Sequence, residues 1–105
     1  MDERPIPEAA LRDKSSVEML RVWIAERKLH CSIKVGMYRE MSDVGEERAW
    51  GVILADVTRH LAIALEPEYS ADRGECVRKI RENYLEELDA PTSEAQGAFV
   101  NWKKA

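Results

Sequence analysis

The segment from Val17 to Ala25 carries apolar side chains on both of its faces, and this pattern constrains the fold most. Leu20, Val22 and Ile24 lie on one face, whereas Trp23 lies on the other. Alternation with β-branched and aromatic residues predicts a strand. Because both faces are apolar, we expect an inner strand covered on both sides. A chain of 105 residues forms one domain with a modest core, so few residues are left to bury both faces of this strand.

A second strand is predicted from His30 to Tyr38. Its alternation is cleaner, with apolar groups on one face only, which is typical of an edge or half-solvated strand. Gly36 within it predicts a bulge or a close backbone approach. The connection from Glu26 to Leu29 lacks Asn-Gly and Asp-Gly, so we expect a turn of four or five residues rather than two.

Two amphipathic helices follow a loop from Arg39 to Gly45. The first is predicted to begin at a capping box formed by Asp43 and Glu46, and to end near Leu65, before Pro67. Its main apolar stripe repeats at helical spacing, and a second, mixed face predicts cover on two sides. This stripe comprises Trp50, Ile53, Leu54, Val57, Leu61, Ala64 and Leu65.

The second helix is predicted to begin at Asp72, with Glu75 at the third position of its own capping box, and to end at Pro91. Its apolar stripe consists of Val77, Ile80, Tyr84 and Leu88.

These elements predict an α+β fold, a β-hairpin followed by two α-helices (ββαα). Residues 1–16 form an N-terminal arm, residues 17–90 the single domain and residues 91–105 a C-terminal tail. The helices are expected to cover the sheet face that bears Leu20, Val22, Ile24, Ile33 and Val35.

A two-stranded hairpin is marginal in water without further cover. The segment 99–102 can add a strand, the arm can cover the free edge, or two subunits can pair. We favour a twofold homodimer, the commonest oligomer, through either the strand edge or the helix face. The interface candidates are Trp23, Val52, Ile63, Phe99 and Trp102.

The charge of the chain restricts its partners. Sixteen Lys and Arg against twenty Asp and Glu give a formal charge of −4, which argues against nucleic-acid binding. The acidity is concentrated in residues 66–89, whereas residues 17–38 carry a net positive charge. This hairpin therefore offers a mildly basic, tryptophan-bearing surface to an unknown protein partner.

The sequence predicts a cytoplasmic protein. The first fourteen residues lack an apolar core, so we expect no signal peptide. Residues 49–65 are too short and too charged to span a bilayer. The two cysteines, Cys31 and Cys76, and the two histidines, His30 and His60, have no metal-ligand spacing. We therefore expect no metal and no cofactor, and two small reduced thiols.

The strongest candidate for chemistry is the group Asp56, Arg59 and His60 on the first helix. Residues four apart on a helix are in reach of one another, and a carboxylate can orient a histidine. His30 and Lys34, with Ser32, share one face of the second strand and could present a row of anion ligands or simply form the solvated face of the sheet. No catalytic residue is predicted, since no nucleophile or oxyanion site accompanies them. Two functions stay open: a non-catalytic homodimeric accessory module, or a small-ligand or anion-binding protein that can include an enzyme.

Three motifs carry a family resemblance: His30-Cys31-Ser32-Ile33-Lys34, Trp50-Gly51 and the stretch from Asp56 to Ala62. With them, residues 17–92 resemble a family of small bacterial proteins classed as a domain of unknown function. The chain departs from that family at residues 26–29, where relatives tend to carry Gly, in a longer loop at residues 40–47, and in its 99–102 tail. The resemblance implies a fold and a bacterial cytoplasmic origin, and it implies no activity.

Overall fold

The computed structural model describes residues 1–101, which contain four helices and three strands. In chain order they are α1 (Glu8–Arg12), β1 (Leu20–Ala25), β2 (Lys28–Val35), α2 (Met37–Met41), α3 (Glu46–Tyr69), α4 (Arg73–Asp89) and β3 (Gln96–Asn101). The predicted α+β class and the order of hairpin before helices are confirmed. The short α2 replaces the end of the predicted second strand, Met37 and Tyr38, and the start of the predicted loop, and β3 extends the predicted ββαα order.

The sheet has the strand order β1-β2-β3. β1 pairs with β2 antiparallel, with Leu20 opposite Ile33, and β3 pairs with β2 in parallel, with Ile33 opposite Phe99. The prediction that the first strand is the inner one is wrong, because β2 is central and β1 lies at an edge. Local alternation does not encode which strand receives a third neighbour. The connection through α3 and α4 determines the strand order, because it places the C-terminal segment beside β2.

The β1–β2 connection is a two-residue turn at Glu26 and Arg27, so the prediction of a longer turn is wrong. Both residues have positive φ, 53° and 64°, as in the type I′ turn that matches the twist of a hairpin. A left-handed backbone costs a residue with a side chain about 1–2 kcal/mol. The ladder of six cross-strand pairs offsets that cost.

The ends of the helices follow the sequence only in part. α3 begins after Gly45, which makes no side-chain cap, so the capping box from Asp43 is wrong. α3 also continues past Pro67 to Tyr69. The proline lies in the last turn, where its missing N–H removes a single helical bond. α4 follows the prediction, because the Asp72 carboxylate accepts the Glu75 N–H at 2.9 Å and the helix ends before Pro91.

Gly36 lies just after β2 rather than inside a bulged strand. Its φ of 96° is left-handed, and it turns the chain from the strand into α2. A glycine adopts this conformation without steric cost.

The chain covers very little of its own apolar surface. Within residues 1–101, Ala49 and Ala62 are the only buried residues. The cover expected on one face of the sheet is incomplete, since Leu20, Ile33 and Val35 are half-buried whereas Val22 is 48% and Ile24 82% exposed. The radius of gyration of 15.6 Å accordingly exceeds the roughly 13 Å of a compact domain of this length.

The N-terminal arm lies beside the outer edge of β1. The Arg21 guanidinium pairs with Glu18 at 2.9 Å and with Glu3 of the arm at 3.6 Å. A cavity of about 670 Å³ remains between the arm and the strand, next to Pro5 and Trp23.

The strain in the β1–β2 turn generates a first prediction. Replacing Glu26→Asn and Arg27→Gly together should raise the free energy of unfolding by about 1 kcal/mol, because both new residues tolerate positive φ. Urea unfolding at fixed protein concentration measures the change. The control Glu26→Ala with Arg27→Ala removes the same charges but keeps the strain, and equal stabilisation in that control would contradict the backbone explanation.

Gly97 generates a second prediction, on the attachment of β3. Its φ is 123°, and an added Cβ would lie 2.0 Å from the Cys31 carbonyl oxygen. Gly97→Ala should therefore detach β3 from β2, seen as faster hydrogen exchange in residues 96–101. The matched control is Gly51→Ala, where nothing lies within 4 Å of the new Cβ. Unchanged exchange in Gly97→Ala would contradict the steric argument.

Candidate functional site

The helical candidates Asp56, Arg59 and His60 lie together on α3. The Arg59 guanidinium donates a hydrogen bond to the Asp56 carboxylate three residues earlier. Asp56 therefore pairs with Arg59, and the structure of residues 1–101 shows no hydrogen bond from it to His60. All three side chains are exposed to solvent. This group is an ordinary surface ion pair with an adjacent histidine.

The strand candidates His30 and Lys34 lie on β2, on the face that also bears Trp23. The Nε2 atom of His30 is enclosed and has no hydrogen-bond partner within residues 1–101. In that range no hydrogen bond or ion pair joins these strand residues to Asp56, Arg59 or His60. The structure thus divides the predicted ligand residues between two separate elements.

A groove of about 380 Å³ opens between α3 and α4. Its walls are mainly apolar, and Arg59 and Arg81 are its two charged residues. Arg81 has no ion-pair partner within residues 1–101, whereas Arg59 is held by Asp56. The other residues around the groove are Gly51, Leu54, Ala55, Thr58, Val77, Ile80 and Tyr84.

Two large apolar surfaces remain open on the chain. The first, the sheet patch, is one face of the sheet, with Ile24 and Phe99 exposed by 82% and 75%. Cross-strand pairing places its members together: Leu20, Val22, Ile24, Leu29, Ile33 and Phe99. The second, the helix patch, adjoins the groove at Leu54 and Tyr84. It comprises Leu54, Val57, Leu61, Tyr84, Leu85 and Leu88, each 37–62% exposed.

The predicted interface residues are distributed over these surfaces and beyond them. Phe99 belongs to the sheet patch. Trp23 is half-buried and lies on the opposite face of the sheet from that patch. Val52 and Ile63, 41% and 46% exposed, lie on α3. Trp102 lies outside the described residues.

Glu46 is the residue that the sequence analysis misjudged. Its carboxylate accepts the Gly36 N–H at 2.8 Å, the Trp50 indole N–H at 3.1 Å and the Arg39 N–H at 3.1 Å. These donors, the Gly36 amide foremost, hold the pKa of Glu46 below its ordinary value of 4.5. The carboxylate thereby joins the end of β2 to α2 and α3. Its acidic position near a helix start resembles a cap, so the pattern alone carries no sign of these partners.

The described part of the chain contains neither a cluster of metal-ligating side chains nor a helix suited to span a membrane. Residues 1–101 contain no group of three His, Cys, Asp or Glu side chains that could hold a metal ion. Cys31 and Cys76 are half-buried free thiols. None of the helices in that range combines the length and the apolarity needed to cross a bilayer.

Comparison with known proteins adds a family and a fold. The model of a family described as "Domain of unknown function (DUF5076)" matches residues 3–92, which leaves β3 beyond the match. No curated protein matches the chain. A similar solved structure, from the photosynthetic bacterium Rhodopseudomonas palustrus CGA009, is described as that of a "putative pyruvate dehydrogenase". It is 24% identical, covers 91% of this chain and 92% of its own, and has a TM-score of 0.66. At that identity the likeness shows the fold alone.

The Glu46 contacts generate a third prediction. Glu46→Gln should lower the free energy of unfolding, because an amide replaces one acceptor oxygen and weakens hydrogen bonds that now end on a charged group. A lower midpoint of urea unfolding, followed by tryptophan fluorescence, measures the loss. The neighbouring Glu47→Gln is the control and should lower the midpoint far less, since Glu47 shares the first helical turn but its side chain makes no hydrogen bond or ion pair within residues 1–101.

The same pair of variants has a defined pH dependence. The pKa of Glu46 is lower in the folded chain than its ordinary 4.5. Its stabilisation is therefore complete above about pH 4.5 and is lost as pH falls through the folded-state value. The difference between wild type and Glu46→Gln should shrink in acid, and a difference that grows in acid would contradict the assigned hydrogen bonds.

Proposed function

The chain belongs to the DUF5076 family, and we propose that it works there as a homodimeric binding module without catalysis of its own. Its α+β domain would provide a surface for association rather than an active site. The proposal rests on one observation, the amount of apolar surface that a single chain leaves exposed.

The exposed area supports association in quantitative terms. The chain exposes 9105 Å², whereas a compact monomer of 12.0 kDa exposes roughly 6,000 Å². The excess is therefore about 3,000 Å². If a dimer covered half of that excess on each protomer, it would bury about 3,000 Å² in total, which falls in the range of obligate homodimers. Large apolar patches on a single chain are typical of interaction surfaces.

The ion pair on α3 disfavours the alternative, an anion or small-ligand site. A free arginine and a histidine in one concave pocket would support such a site. Arg59 is instead paired with Asp56 on its own helix, and His60 is exposed outside the groove. His30 and Lys34 lie on a different element. These residues lack the convergence that a binding site for a small anion requires.

We also infer a bacterial, cytoplasmic setting and a further protein partner. The free thiols Cys31 and Cys76 suit a reducing compartment. The hairpin face bearing Trp23 offers its mild basic charge to an acidic partner protein, beyond the homodimer itself.

The fourth prediction tests association directly. Sedimentation velocity at micromolar concentration should give twice the 12.0 kDa of one chain. Val57→Glu should shift the protein to the single-chain mass, because it places a charge in the helix patch. Arg48→Glu adds the same side chain to α3 outside that patch and should remain dimeric. A wild-type mass near 12.0 kDa would overturn the proposal.

Thermal unfolding of the wild type and of Arg59→Ala tests the alternative, an anion or small-ligand site. We expect phosphate and acetate to leave the melting temperature of the wild type and of Arg59→Ala equally unchanged. Stabilisation of the wild type by either anion, with loss of that effect in Arg59→Ala, would favour a ligand site over the proposed module.

A further inference from the structure

We propose that the edge of β2 away from β1 is a strand-binding site and that two copies of this chain exchange β3 across it. In the dimer, β3 of each protomer pairs with β2 of its partner, in the register that the structure has within one chain. This inference deepens the homodimer proposed above and rests on it. It assigns residues 96–101 as the segment that the second copy contributes.

β2 presents backbone hydrogen-bonding groups on the side away from β1. The Lys34 N–H donates to the Met19 carbonyl at 3.1 Å, so the backbone of Lys34 points toward the first strand. Successive residues of an antiparallel strand alternate in the side to which their N–H and C=O groups point. The groups of Cys31, Ile33 and Val35 therefore point toward β3. Such a row of groups is a template for another strand, whichever chain supplies it.

The site selects its occupant at one position. Gly97 lies opposite Cys31 with a φ of 123°, and a Cβ there would collide with the Cys31 carbonyl oxygen. An extended segment therefore fits this edge only if it carries glycine at that place. A second copy of the chain meets the requirement by identity, whereas an unrelated segment meets it only by chance.

β3 has little anchorage in its own chain besides this ladder. All six of its residues are exposed, Phe99 by 75%. Within residues 1–101, β2 is the one helix or strand with which it makes an extended contact. Because β3 of a second copy would make the same contacts on β2, the strand prefers its own chain only through the effective concentration that the linker sets.

The linker before β3 provides a hinge for the exchange. The Glu87 carboxylate accepts the Thr92 N–H at 2.9 Å and the Thr92 hydroxyl at 2.8 Å, which holds the chain just after α4. Residues 93–95 make no hydrogen bond or ion pair within residues 1–101. Rotation about these three residues would carry β3 to another chain without disturbing α4, and short hinges of this kind favour exchange. The family match ends at residue 92, so the exchanged strand lies outside it.

Strand exchange and apolar burial have different roles in this dimer. Each β2–β3 ladder formed between chains replaces one lost within a chain, so exchange alone changes the free energy little. The apolar surface that the protomers cover drives association, while the exchanged strands join the two chains.

Disulfide trapping between two tagged chains tests the exchange, and this is the fifth prediction. Both chains carry Cys31→Ala and Cys76→Ala; one has Ser32→Cys in β2 and the other Ala98→Cys in β3. Ser32 and Ala98 are exposed and lie opposite each other, at the strand spacing that a disulfide can bridge. The chains are mixed in urea, refolded together at micromolar concentration and oxidised. We expect disulfides between the two different chains at a yield at least tenfold above those between identical chains.

The glycine requirement provides a matched control. Gly97→Ala, added to the chain with Ala98→Cys, should abolish the disulfide, because its β3 no longer fits on β2. Gly51→Ala, added instead, should leave the yield unchanged, since nothing lies within 4 Å of the new Cβ on α3. Disulfides that survive Gly97→Ala would contradict the docking of β3 on this edge.

The remaining outcomes separate the exchange from the proposed function. A protein that sediments as a dimer but forms no disulfide between different chains keeps each β3 on its own β2, and that result would overturn the exchange alone. Equal yields between different and identical chains would indicate random collision and overturn it as well. A wild type that sediments as a single chain would refute the homodimer and the exchange together. Lys34→Cys and Val100→Cys, also opposite each other, replace the first pair if circular dichroism shows that a variant is unfolded.

Discussion

Everything in this structure depends on apolar surface that the chain creates and cannot cover alone. The hairpin and the two long helices each present an apolar face, and Ile24 on the sheet and Leu61 and Leu88 on the helices remain exposed. Two alanines are the only buried residues in that range, and neither offers much apolar area to a core. Because apolar burial is the main favourable term in folding, the homodimer that we propose would add stability that the single chain lacks.

Several polar contacts help to hold the single chain together. Glu46 joins β2, α2 and α3 through three hydrogen bonds, and Asp72 caps α4. The ion pairs on the helices, such as those of Arg78 with Glu75 and Glu82, lie at the surface and contribute little each. These polar interactions orient the helices and strands relative to one another. Most of the favourable free energy of folding must come from buried apolar surface.

The candidate residues for chemistry do not converge on one site. Asp56, Arg59 and His60 lie at the surface of α3, and His30 and Lys34 lie on β2. The helical spacing predicts that Asp56 can reach either Arg59 or His60, and in the structure it pairs with Arg59. The family is described as one of unknown function and the similar structure shows only the fold, so the proposed function rests on the exposed apolar residues.

The sequence by itself determined the α+β class, the hairpin, the two helices and the start of α4 at Asp72, because periodicity and side-chain caps are local. It predicted a turn of four or five residues where the structure has a two-residue turn at Glu26 and Arg27. The twist of the paired strands outweighs the preference of those residues against positive φ. Only the tertiary structure decided that β2 is central and that β3 joins it in parallel, since such pairing depends on residues more than 60 positions apart. It alone showed that Val22, Ile24 and Phe99 stay exposed on the sheet, because an amphipathic pattern indicates that a face needs burial but not which surface buries it.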